Sequence, residues 1–156
     1  MSASRNTRRI VAAVAASVAL VGAAALPAVA DGHHRDGNSR RSSIVIGKVQ
    51  YDSPGRDDRS NRSLNAEWVE VKNTGRKAVN LRGFTLTDKQ GNRYRFEGLR
   101  LDGRSSVKVH TGKGRDSSHD VYQDRRNYVW DSRDTATLRS DRGHVIDTRS
   151  WGKRGR

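Results

Sequence analysis

From Ile44 to the end the chain is a succession of short apolar alternations cut by turn residues, and no stretch there keeps a helical period. The pattern is clearest in Glu67-Trp68-Val69-Glu70-Val71, where two valines share one side and Trp68 and Glu70 the other, as a strand requires. Val45 through Val49 to Tyr51, Val79 with Leu81, Phe84 with Leu86, Tyr94 with Phe96, and Val107 with Val109 repeat it. Val129-Trp130, Thr135–Leu138 and Val145-Ile146 are further candidate strands. Asp52-Ser53-Pro54-Gly55, Asn73-Thr74-Gly75, Asp88–Asn92, Asp102-Gly103 and Asp141-Arg142-Gly143 punctuate them. Short strands with turn signals at intervals of roughly ten residues predict an all-β fold, an antiparallel sandwich or barrel.

The expected core is Val45, Val49, Val69, Val71, Leu81, Leu86, Phe96, Val107, Val109 and Leu138, with Trp68, Trp130 and Trp151 adding large areas where they point inward. Asn73 has the side chain that bonds its own backbone at a turn, Gly75 tolerates positive φ, and Gly83 suits a bulge or close approach. The chain has no cysteine, so neither a disulfide nor thiol chemistry is available. Stability must come from the core or from a bound ion.

The amino terminus predicts export. Arg5, Arg8 and Arg9 precede an apolar run, Ile10–Leu26, and Pro27-Ala28-Val29-Ala30 offers the small residues that signal peptidase cleaves after. Residues 1–30 therefore read as a signal peptide and not as a membrane anchor, the run being short and rich in Ala and Gly. Arg8-Arg9 admits a twin-arginine route, but Thr7 and Ile10-Val11 fit it poorly. Residues 31–43 contain no apolar side chain and are expected to be a disordered polar leader, with His33-His34 solvated in it. Residues 44–156 are enough for one domain and too few for two.

Charge narrows the partners. The full chain carries a net charge of +14; removing residues 1–30 takes away Arg5, Arg8 and Arg9 and no acid, which leaves +11. Of the basic residues 24 are Arg and 7 Lys, and the planar Arg fork matches phosphate bidentately. A basic surface of this kind binds polyanions at low salt, while it also serves solubility alone. If the strand around Arg93–Arg95 and the strand around Lys108 form a hairpin, Arg93, Arg95, Arg100, Arg104 and Lys108 gather on one face beside His110, and these five are the expected anion-binding residues. A second basic cluster is Arg149, Lys153, Arg154 and Arg156, with Arg125-Arg126 in a loop.

Catalysis and metal binding find little support. His110, His119 and His144 lie outside any Gly-x-Ser-x-Gly context and lack the close spacing of metal ligands, so no catalytic residue, metal ligand or cofactor is expected. Asp57-Asp58 and Asp116 to Asp120 are oxygen-rich enough for calcium, but Arg56, Arg59 and Arg115 beside them are expected to pair with those carboxylates instead.

Taken in order, Leu64–Asn73, Val79–Asp88, Tyr94-Arg95-Phe96, Leu101-Asp102-Gly103, Val107-Lys108-Val109, Asp134–Leu138 and Gly143–Asp147 resemble the lamin-tail domain, and most closely its secreted, stand-alone actinobacterial type. The resemblance implies an immunoglobulin-like antiparallel β-sandwich with no catalytic residues. It also implies an interaction module, for which DNA or cell-surface components are the suspected partners. The expectation is thus a secreted, extracellular or wall-associated module that binds nucleic acid or an anionic envelope polymer. A secreted hydrolase or nuclease, or an accessory domain of one, is the first alternative and would show a cleft of convergent perturbed groups around a histidine. A self-associating structural surface protein is the second and would show an unpaired apolar edge strand.

Overall fold

A computed structural model describes residues 42–152. The expected signal peptide, the expected polar leader up to Arg41, the His33-His34 pair, and Lys153, Arg154 and Arg156 lie outside the described residues. The strands are β1 (Ile44–Gln50), β2 (Trp68–Asn73), β3 (Val79–Asn80), β4 (Thr85–Thr87), β5 (Arg93–Arg95), β6 (Arg100–Leu101), β7 (Ser106–His110), β8 (Asp120–Tyr122), β9 (Asp134–Arg139) and β10 (Val145–Trp151). They form one four-stranded sheet ordered β1-β2-β7-β8, a second ordered β10-β9-β4-β5, and a small β3-β6 pair. This is the all-β, immunoglobulin-like sandwich that the sequence predicts. Pairing is antiparallel except between β7 and β8, which run parallel.

The core forms where alternating side chains of the two sheets meet. Val69 stands opposite Val109 and Val71 opposite Val107, and all four are fully buried; a valine withdrawn from water in this way contributes about 1.5–3 kcal/mol. Leu81, Leu86, Phe96 and Leu138 are buried as expected, joined by Leu101, Val121, Val129, Trp130 and Ala136.

Three local expectations are corrected. Val45 is not core: Ile44 and Ile46 are buried in its place, and Val49 packs only partly against them. The register of β1 against β2 shifts between Ile46 and Val49, and this bulge breaks the two-residue alternation read from Val45 to Val49. Residues 61–66, in a stretch where no helical period is expected, form the helical turn α1 (Asn61–Ala66). The Ser60 side chain caps it by accepting from the Ser63 amide at 3.2 Å, and Leu64 anchors it in the interior. Val129-Trp130 is not a strand, although both residues are buried.

The turns follow their chemistry. Asn73 accepts from the Gly75 amide at 3.0 Å and its Nδ2 donates to the Lys77, Leu101 and Asp102 carbonyls, so one buried amide joins β2 to the β6–β7 turn. Gly75 itself has no positive φ; a Cβ there would stand 3.0 Å from that of Ser43, a tight approach that glycine avoids. Gly83 does take φ +83°, at the reversal leading into β4.

Candidate functional site

The hairpin premise for the five expected anion-binding residues does not hold. Strand β5, with Arg93 and Arg95, pairs with β4 in one sheet, whereas β7, with Lys108, lies between β2 and β8 in the other. Arg100 sits on the small β3-β6 pair, where it meets Asp102 at 3.7 Å, and Arg104 is in the following turn. Leu99 to Leu101 pair back onto the chain around Leu81 and Val79, which carries the chain from one sheet to the other before β7 begins. Arg93 and Arg95 are exposed, and Arg95 shares a row across its sheet with Thr85 and Arg139. The Arg125 guanidinium adds a contact there by donating to the Arg93 carbonyl at 3.0 Å.

Lys108 belongs to a different assembly, on the face of β1-β2-β7 turned away from the core. Because Val69 and Val71 are inward, Trp68, Glu70 and Lys72 are outward, and the register sets Glu70 opposite Lys108 and Trp68 opposite His110. The Lys108 Nζ lies over the Trp68 ring, 4.5 Å from its centroid. Lys48, Lys72 and, from β10, Arg149 complete a groove of about 640 Å³ around them. Four cations thus face one carboxylate along an indole.

The β1 bulge holds that carboxylate in place. The Lys48 amide donates to Glu70 Oε2 at 2.9 Å. Gly47 leaves room beside it: a Cβ there would stand 2.7 Å from Lys72 Cδ and closer still to the Glu70 carboxylate, so both side-chain ends would have to shift. Burial by itself pushes the Glu70 carboxyl up, but the Lys48 amide, the Ser106 hydroxyl and the Lys72 and Lys48 charges outweigh it and hold the group below its ordinary range. Glu70 is therefore an ionised carboxylate between lysines and offsets the repulsion between their ammonium groups.

The histidines do not converge. His110 Nδ1 meets the Asn65 carbonyl at 2.7 Å and Nε2 meets Asp120 at 2.9 Å, while the ring stacks on Tyr122 at 5.1 Å. Both ring nitrogens are engaged in joining α1, β7 and β8. His119 bonds the adjacent Ser118 at 2.8 Å, and His144 is exposed in the β9–β10 turn.

The acidic loops bind their own backbone and not the neighbouring arginines. Asp58 accepts from the Ser60 amide at 2.9 Å, and the Ser60 hydroxyl and amide hold its carboxyl below the ordinary range. Asp116 accepts from the Tyr122 amide at 3.0 Å. Among the described residues the ion pairs are Arg100–Asp102 and His110–Asp120, so the expected pairing with Arg56, Arg59 and Arg115 is not formed.

With fold and groove in view, the class is that of an immunoglobulin-like β-sandwich domain. The model of the Lamin Tail Domain matches residues 38–153, and the chain belongs to that family. No curated protein matches the chain. Among the described residues no helix is long and apolar enough to cross a membrane.

Proposed function

We propose that the protein is an exported, non-catalytic binding module that takes an anionic polymer, extracellular DNA or a phosphate-bearing wall polymer, along the groove of Trp68 and Lys108. The observation that carries this reading is the placement of Lys108 over the Trp68 ring with Lys48, Lys72 and Arg149 around the same groove. An indole offers a sugar or base a stacking face, and ammonium groups alongside replace the counterions of a phosphate chain. No base-reading helix enters the site, so recognition is phosphate-led and blind to sequence.

Two features weigh against the alternatives. Both nitrogens of His110 are engaged within the fold, and the other histidines do not converge on it, which favours a binding role over an acid–base one. Among the described residues Val145 is the large hydrophobic left exposed, at the start of edge strand β10, and one side chain does not make an apolar edge for self-association.

Export rests on Arg8, Arg9, the apolar run and Ala28-Val29-Ala30, and places the mature amino terminus at Asp31. Mass spectrometry of culture fluid is expected to find a chain beginning there; a product retaining Met1 refutes cleavage. Binding is tested by titrating two unrelated duplexes and a teichoic-type polymer at several salt concentrations. The expected result is equal affinity for the duplexes and a steep fall with salt. Absence of binding to all three at roughly 50 mM salt reduces the charge to a solubility device.

A further inference from the structure

A strongly basic chain also contains an acidic recess. It measures about 380 Å³ and is lined by Tyr51, Asp52, Asp57, Glu67, Trp130 and Asp131, among others. The three aspartates are exposed, whereas Glu67 is fully buried. One oxygen of Glu67 is fully used: Oε1 accepts from the Thr111 hydroxyl at 2.6 Å and from the Val129 amide at 2.9 Å. The other, Oε2, has no partner, and neither has the buried indole N–H of Trp130.

A buried acceptor left without a donor costs about 1–3 kcal/mol, so its place beside a solvent-open recess needs a reason. Among the described residues no group of three or more His, Cys, Asp or Glu is placed to hold a metal ion, and the carboxylates are too dispersed for one compact cation. They suit an elongated one. The recess wall is aromatic: Tyr51 stacks on Trp151 with centroids 5.9 Å apart, and Trp151 tilts against Trp130 at 5.6 Å. Ring faces and carboxylates together favour an organic cation with an apolar stem.

We propose that this recess binds an alkylammonium group of the lysine type, its stem against Tyr51 and Trp130, its ammonium donating to Glu67 Oε2, and its charge offset by Asp57 and Asp131. The volume is at the small end of the range for ligand pockets, about 300–1,000 Å³, and matches one side chain better than a whole metabolite. The lining residues are distinct from those of the basic groove. The chain can therefore hold a polyanion and a cationic group at once, and the second site stands whether or not the first binds DNA.

The test follows the Trp130 indole N–H signal by NMR while the purified protein is titrated with Nα-acetyl-lysine methylamide, with its uncharged norleucine counterpart, with n-butylammonium chloride and with calcium chloride. A saturable shift with the lysine amide and none with the norleucine amide is expected. The butylammonium arm separates sources: a matching response assigns the site to free amines as well, and a much weaker one to lysine within a peptide. Asp57→Asn combined with Asp131→Asn removes two exposed carboxylates and is expected to weaken binding about tenfold without lowering the melting temperature. Equal responses to the lysine and norleucine amides, or a response to calcium with none to the lysine amide, overturns the proposal.

Discussion

The Asp147 carboxylate accepts a hydrogen bond from the Ile46 amide at 2.7 Å, joining residues 101 positions apart and fastening the first strand of one sheet to the last strand of the other. The bond falls at the residue where the β1 register begins to shift, and Asp147 also sits at the irregularity of β10 against β9. Two bulges thus face each other where the sandwich closes along an edge. Charged acceptors make stronger bonds than neutral ones, and here the bond also fixes the bulge that places Lys48 over Glu70.

Asp147→Ala is accordingly expected to lower stability by about 1–2 kcal/mol, somewhat below the full value of a buried charge-assisted bond because Asp147 is only half-buried. Urea unfolding should show an earlier midpoint with an unchanged slope. An unchanged midpoint would mean that water serves the Ile46 amide equally well.

Val71→Asp tests the core from its centre. Val71 is fully buried, and its partners across the strands are Ile46 and Val107, so an aspartate there has no donor within the apolar layer. Burying an unpaired charge exceeds the whole stability margin of a domain this size, and the variant should lack a cooperative thermal transition. A melting temperature equal to that of the parent chain would place Val71 outside the core.

Glu67 gives the fold a pH dependence opposite to that of most carboxylates. Burial raises its carboxyl above the ordinary value of 4.5, and the donors Thr111 and Val129 only partly offset that. The native state then keeps a proton that the unfolded chain releases, so this group's contribution to stability declines as pH rises from 4.5 through the native value and is constant above it. Glu67→Gln should remove that decline, so that the two stability profiles differ more on the alkaline side of the window than on the acidic side. Parallel profiles across pH 4–8 would show that Glu67 is ionised throughout.

Much of the fold was legible because its signals are local. The Val69 and Val71 alternation, the Asx turn at Asn73 and the reversal at Asp141–Gly143 each depend on a few adjacent residues. What was hidden depends on distant ones. Val45 and Ile46 are equally suited to burial, and the bulge that decides between them is tied by Asp147 far along the chain. α1 rests on one cap and one buried leucine, too short a run to show a period. The site was half legible for the same reason. Alternation puts Trp68 and Glu70 on the outer face and Lys108 on the outer face of a later strand, but a hairpin between neighbouring strands was the simplest way to join Lys108 to other cations. The chain instead crosses between sheets at β6, and the partners of Lys108 come from β1, β2 and β10. Lys48 and Lys72 were findable from the outward positions of the same alternation.

The groove and the Arg93–Arg95 row make opposite forecasts for the same titration. If phosphates lie along Trp68, Lys72→Ser and Lys108→Ser should each flatten the log–log salt slope by about one unit, and the two together by about two. Trp68→Ala should weaken binding by about 1–3 kcal/mol on a single strand and leave the slope nearly unchanged, because stacking releases no counterions. The lost Lys108 contact in that variant amounts to less, since an exposed cation on an indole is worth only about 0.5–1 kcal/mol. Arg93→Ser with Arg95→Ser, on the other sheet, should leave affinity and slope almost as they were. A slope that falls with the arginine pair and not with the lysines would move the interface to the β4-β5 face and leave the groove as a solvated surface.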